Sequence, residues 1–237
     1  MKEVIKVRYG SHTINVEIVR RRRSTLEIAV EPDTRVVATA PLDATQEKIA
    51  GKIRKRAGWV RRQQRFFTQY LPNKPPRKYV SGETHLYLGR QYRLKVRAHT
   101  QEIVKLTRGF LIVQSPYPKR SEETRTLVAD WYRERAHIRF GDRLEACLTR
   151  FGKPNNFRPK AMIVRLMRQR WGSMSPTGRL VLNTRLVEAP IDCIDYVITH
   201  ELCHVAQPHH GPRFFKLLEQ VMPDWKRRKT RLERTLA

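Results

Sequence analysis

Residues 190–214 read PIDCIDYVITHELCHVAQPHHGPRF, and this stretch organises the rest of the chain. Pro190 suits the first turn of a helix, Asp192 is placed to cap it, and Ile194, Val197 and Ile198 supply an apolar face. On such a helix His200 and His204, four residues apart, project from one face about a turn from each other, so both can reach one ion. Zinc takes imidazole nitrogen at roughly 2.0–2.1 Å, and a catalytic site uses three protein ligands so that water keeps the fourth position. A third ligand is therefore required. Pro208 disfavours helical geometry at Gln207 and ends the helix, Gly211 permits an unusual backbone angle, and His210 can return to the ion, with His209 as the alternative. Glu201, beside a ligand but directed partly aside, is placed to accept a proton from water that the ion has acidified to a pKa of about 7. The pattern is that of a hydrolase. Its competitor is an amphipathic helix whose histidines are ordinary surface or core residues.

The cysteines do not share in this chemistry. Cys203 lies two positions after Glu201 and turns away from the metal face, while Cys147 and Cys193 have no histidine or lysine at a readable spacing to activate them. All three read as small apolar residues. An odd number of cysteines without paired spacing suggests neither a disulfide framework nor a zinc knuckle and points to a reducing compartment. The start, Met1-Lys2-Glu3-Val4-Ile5-Lys6, alternates charge with apolar residues rather than forming a signal peptide, and no later run has transmembrane length, so the expected location is cytoplasmic.

Outward from the motif, the runs Met162–Met167 and Leu180–Leu182 bracket Ser175-Pro176-Thr177-Gly178 and read as a hairpin. Ser121 with Glu122 and Glu123 begins a long helix to about Phe151. Before Pro116 and Pro118, the short β-branched runs at 4–9, 13–19, 26–30, 36–39, 86–88, 92–97, 103–106 and 110–113 read as strands, with turns at Gly89-Arg90 and Arg108-Gly109. A basic helix from Asp43 to about Tyr70 interrupts them and is stopped by Leu71-Pro72-Asn73-Lys74-Pro75-Pro76. No internal repeat is evident.

The 237 residues carry a formal net charge of +27, an excess that points to phosphate backbones or an acidic partner. The basic clusters are Arg20 to Arg23; Lys52, Arg54, Lys55, Arg61 and Arg62; and Lys226 to Lys229. Trp59, Phe66 and Phe67 recur at helical spacing and read as core rather than as stacking platforms.

Arg170-Trp171-Gly172-Ser173, Leu182-Asn183, Leu186, Ala189-Pro190, Tyr196-Val197 and the His200–His204 motif with His210 resemble the YgjP-like metallopeptidase family. The resemblance extends upstream through Ala40-Pro41, Trp59, Gly82-Glu83, Tyr87 to Tyr92 and Leu94. His210 to Phe214 is similar, more distantly, to the third-ligand segment of SprT and Spartan proteases, which act on proteins bound to DNA. The resemblance implies a zincin-like C-terminal domain whose sheet offers an edge strand to a peptide. This chain departs from the family in having Met174 where cysteine is common after Trp-Gly-Ser, and Gln207 where a metzincin has glycine. Trp171 and Ser173 are candidates to line the cleft, and Arg170, Tyr196 or His209 to polarise the scissile carbonyl.

The expectation is therefore an α+β protein: a small β-rich region with a long basic helix over 1–116, then a zincin-like metallopeptidase domain over 117–237 with a hairpin and an active-site helix. The expected chemistry is peptide hydrolysis by Zn2+ on His200, His204 and His210 with Glu201 as base. Its substrates are proteins or peptides, and DNA or RNA is the further partner the charge suggests. The alternative is a basic nucleic-acid-binding module with a structural metal, in which Glu201 would have no task.

Overall fold

In a computed structural model, residues 3–31, 33–68, 77–167 and 170–236 are described. The chain divides into two compact units, Met1–Pro75 and Pro76–Leu236.

The first unit opens with β1 (Glu3–Tyr9), β2 (His12–Arg20), β3 (Glu27–Val30) and β4 (Val36–Ala40), followed by α1 (Gln46–Thr68). The strands lie in the order β1-β2-β4-β3, with β2 and β4 parallel and the outer pairs antiparallel. Alternate residues Val16, Ile18, Val36, Ala38 and Ala40 face one side, and α1 covers them with Ile49, Ile53, Ala57 and Val60. Burial of each isoleucine contributes roughly 1.5–3 kcal/mol. Arg20 fastens the sheet to the approach of α1: its guanidinium donates to Glu3 and to the carbonyls of Pro41, Leu42 and Ala44. The expected end of α1 near Tyr70 and the Leu71–Pro76 breaker lie outside the described residues.

The second unit begins with β5 (Thr84–Tyr87), β6 (Arg90–Ala98), β7 (Ile103–Thr107) and β8 (Phe110–Ser115), followed by α2 (Ser121–Leu148). The order is β5-β6-β8-β7, again with a parallel central pair and antiparallel outer pairs. The ββββα pattern thus occurs twice. The correspondence extends to register: Val16 opposes Val36 in the first copy and Leu94 opposes Leu111 in the second, all four buried. Ala38 and Ala40 correspond to Val113 and Ser115, and each helix starts five residues after the matching proline, Pro41 or Pro116. The sequence conceals this repeat because only burial, not residue identity, is kept at these positions. Pro116 and Pro118, which suggested a division near 116, lie in the short link between β8 and α2, and those two elements share one core.

The helix and hairpin boundaries also differ in detail. Neither Ser121 nor Asp192 is a cap: Arg120 and Pro190 hold those positions without side-chain hydrogen bonds. After α2 come β9 (Ala161–Arg165), β10 (Gly172–Met174) and β11 (Arg179–Asn183), in the order β10-β11-β9. The turn at Ser175–Gly178 joins β10 to β11, whereas β9 runs parallel to β11. The chain therefore inserts a short edge strand where the apolar run of β9 alone suggested a hairpin partner. Then follow α3 (Ile191–Ala206), α4 (Pro212–Val221) and α5 (Trp225–Leu236).

α3 is almost wholly enclosed, with Cys193 to Thr199 and Glu201 to Cys203 buried. Asp195, on α3, receives both Nε and Nη2 of Arg143 from α2 at 2.7 and 2.8 Å, Arg150 at 3.2 Å, and Arg228 from α5 at 3.8 Å. The turn between β5 and β6 abuts the start of α3. Its Leu88 and Gly89 both have positive φ, their N–H groups donate to Val187 and Glu188, and a Cβ at Gly89 would lie 2.8 Å from Pro190. Only glycine fits there, which accounts for its place in the Gly89-Arg90 turn.

Candidate metal centre

α3 delivers His200 and His204 to one face, as a four-residue spacing requires. Gln207 leaves helical geometry with φ −133° before Pro208, and the chain reverses into α4. His210 comes back on that reversal, so that one ligand nitrogen each from His200, His204 and His210 lies within 4.8 Å of the others. His209 is exposed and outside the group. Gly211, expected to take an unusual angle, is extended at φ −90° and precedes α4.

The three imidazoles surround Phe214, with ring centroids 4.9, 4.6 and 4.7 Å from its ring. Phe214 is fully buried and gives the cluster an apolar floor. It stands four residues after His210 on the first turn of α4, a spacing readable in the sequence once His210 is taken as a ligand. The Nδ1–H of His204 donates to the Gln207 carbonyl at 3.0 Å, which leaves Nε2 as the nitrogen with a free lone pair. His200 has Nδ1 buried without a hydrogen-bond partner, and its Nε2 faces only the Nε2 of His210, at 2.9 Å. Burial, reinforced by His210 and His204, pushes His200 down to about 3, and burial lowers His210 as well. Both shifts favour the neutral ring, the state in which imidazole binds a cation. Converging imidazole nitrogens with hardly any protein partner fit a metal ion that takes nitrogen ligands.

Glu201 points to the other side of the helix turn, toward β10. It is 7% exposed, and burial pushes its carboxyl up to about 7, opposed by the nearby Met174 backbone and by Arg170. Gly172 lies directly against it: a Cβ at this position would sit 2.8 Å from Glu201 Cγ, 3.0 Å from Oε1 and 3.0 Å from Val197. Sequence reading placed Gly172 only within a resemblance, since the demand for a missing side chain comes from a helix some thirty residues on. Gly172→Ala is expected to leave the histidine cluster and its metal content intact while lowering hydrolysis at least about tenfold, because Glu201 must shift by several tenths of an ångström. Metal analysis beside a peptide-cleavage assay checks this; unchanged cleavage would mean that Glu201 tolerates the displacement.

The segment leading into β10 is held by Asn183, which is buried. Its Nδ2 donates to the carbonyls of Met167 and Arg170, and its Oδ1 accepts from Arg185 N–H. Pairing of Trp171 with Asn183 and of Ser175 with Arg179 turns the backbone groups of Gly172 and Met174 to the outer edge of β10, away from β11. Tyr196 meets His200 edge-on at 5.8 Å and stacks on Trp225. Cys203 is buried with its thiol pushed up to about 12 by burial, and Cys147 and Cys193 are likewise buried and raised, which agrees with packing roles for all three.

A family model described as YgjP-like, metallopeptidase domain, matches residues 24–235. No curated protein matches the chain. With nearly the whole length covered, the chain belongs to the YgjP-like metallopeptidase family, and a metal cofactor and peptide substrates go with that membership.

Proposed function

We propose that this YgjP-like family member is a zinc peptidase of the His-Glu-x-x-His type, with His200, His204 and His210 as ligands and Glu201 as general base. The observation that carries the reading is the convergence of three imidazole nitrogens within 4.8 Å beside a buried carboxylate from the same helix. Zinc held by His200, His204 and His210 would supply Lewis-acid polarisation and make water more acidic. Glu201 accepts the proton at a carboxylate oxygen and returns it to the leaving amine nitrogen. The Met174 backbone and the absence of a side chain at Gly172 hold that carboxylate in place. A substrate peptide fits along the outer edge of β10, where the main-chain groups of Gly172 and the carbonyl of Met174 would hold it by strand addition. Arg170, Tyr196 and His209 are the candidates for polarising the carbonyl oxygen.

The alternative, a structural metal in a nucleic-acid-binding module, is less well supported. A structural site fills its fourth position with Cys or His, whereas the metal-type cluster among the described residues has three members. Association with nucleic acid is compatible with peptidase activity and is supported by the charge of +27. The three buried free thiols support a reducing, cytoplasmic setting. No helix among the described residues is long and apolar enough to cross a membrane.

Elemental analysis after mild purification is expected to give about one zinc per chain. His200→Ala, His204→Ala and His210→Ala should each strip most of it, and His209→Ala should not. Full retention in His210→Ala would remove that residue from the ligand set.

A further inference from the structure

The two ββββα copies differ in the charge carried by their helices. α2 carries five arginines against six carboxylates. α1, in the same place of the same pattern, carries eight lysines and arginines against one glutamate. Lys48, Lys52, Lys55, Trp59 and Arg62 follow one another at intervals of four and three residues, so they form a single stripe about 21 Å long, and all are exposed. Trp59, which its helical spacing suggested to be core, is 36% exposed, while the opposite face of α1 supplies Ile49, Ile53, Ala57 and Val60 to the sheet. Tyr9, 43% exposed, flanks the stripe: its hydroxyl lies 3.4 Å from where a Cβ of Gly58 would be.

The other two basic clusters are partly neutralised within the protein. Arg20 pairs with Glu3 and Arg23 with Glu27. On α5, Arg227 and Arg228 pair with Asp224, Lys229 approaches Glu233 at 3.8 Å, and Arg231 pairs with Asp192. Among the described residues, Lys48, Lys52, Lys55 and Arg62 have no such carboxylate partner, whereas Arg20, Arg23 and Arg35 of the same unit do.

We propose that the exposed stripe of α1, Lys48, Lys52, Lys55, Trp59 and Arg62 with Tyr9 beside it, is a docking surface for single-stranded nucleic acid. The cations track phosphates and release counterions. The aromatic rings stack on bases, whose faces a duplex hides and a single strand offers. An anionic membrane is a poorer fit, because a helix that lies in a bilayer interface must insert its apolar face, and that of α1 is buried on its own sheet. The proposal rests on the nucleic-acid association stated above and is independent of the zinc reading.

The test uses the full chain and the fluorescence anisotropy of a labelled oligothymidylate of about twenty nucleotides, with a duplex of equal length for comparison, between about 50 and 200 mM salt. The wild type should prefer the single strand. The triple variant Lys52→Gln, Lys55→Gln, Arg62→Gln should lose at least about tenfold in affinity at the lowest salt and lower the log–log salt slope by about two, as three phosphate contacts on a single strand require. Trp59→Ala should weaken single-strand binding roughly tenfold with the slope unchanged, and Trp59→Phe should recover most of it. Lys226→Gln with Arg227→Gln should bind as the wild type does. All these positions are exposed, and circular dichroism verifies folding. Wild-type slope and affinity in the triple variant would overturn the α1 surface while leaving nucleic-acid association standing. Absence of wild-type binding at the lowest salt would overturn both, and tighter binding to polyglutamate than to the oligonucleotide would reassign the stripe to an acidic protein. Cleavage of a free peptide is expected to be unchanged in every variant.

Discussion

Glu201→Gln is expected to retain zinc and fold while lowering peptide turnover by about 10²–10⁴-fold, the usual contribution of a positioned general base. The amide keeps the volume that fits beneath Gly172 and against Val197, so the packing of α3 on β10 is preserved. It loses the ability to take a proton. The histidines are untouched, so metal content, measured by elemental analysis, should stay at the wild-type value while kcat falls and KM changes little. A zinc-loaded Glu201→Gln protein that cleaves at the wild-type rate would remove Glu201 from the mechanism. Loss of metal together with activity would instead show that Glu201 acts by positioning the ligands.

Asp195→Asn is expected to cost about 3 kcal/mol of stability, at the low end of the ~3–5 kcal/mol for breaking one side of a buried pair. The carboxylate is buried and collects Arg143, Arg150 and Arg228, which come from α2, the residues just after it, and α5. Neutralising it leaves these guanidinium groups repelling one another around α3. The cost stays at the low end because Arg143 and Arg150 keep partial access to water, with about 30% of each side chain exposed. At roughly 2–4 °C per kcal/mol for a unit of this size, the melting temperature should fall by about 6–12 °C. Urea denaturation followed by tryptophan fluorescence measures the change; an unaltered midpoint would show that the arginines find other partners. The effect is one of stability, so zinc content at low temperature should remain near that of the wild type.

What was legible in the sequence depended on local spacing. Two imidazoles four residues apart, an apolar face before them and a proline after them are statements about a single helix and its end, and α3 has that form. The alternating runs were legible as strands for the same reason, since a period of two is written within each run. Whatever depends on two distant segments was not. The parallel pairing of β9 with β11 leaves no mark in either strand, and the short β10, three residues with a glycine among them, has too little pattern to announce itself.

By itself the sequence determined the α+β composition, the helix that carries His200, Glu201 and His204, and the pair of further histidines, His209 and His210, beyond Pro208. That His210 rather than His209 joins His200 and His204 in one cluster belonged to the reversal between α3 and α4, because adjacent residues differ in direction and only the packed chain says which one turns toward the other two. The repeat of the ββββα pattern was decided at the same level. Its two copies conserve strand order and burial, which arise from hydrogen-bonding across segments and from packing of helix on sheet, and neither is recorded in the identity of any single residue. The exposure of Trp59 follows from this: α1 needs only one apolar face against its sheet, and Ile49, Ile53, Ala57 and Val60 already fill it.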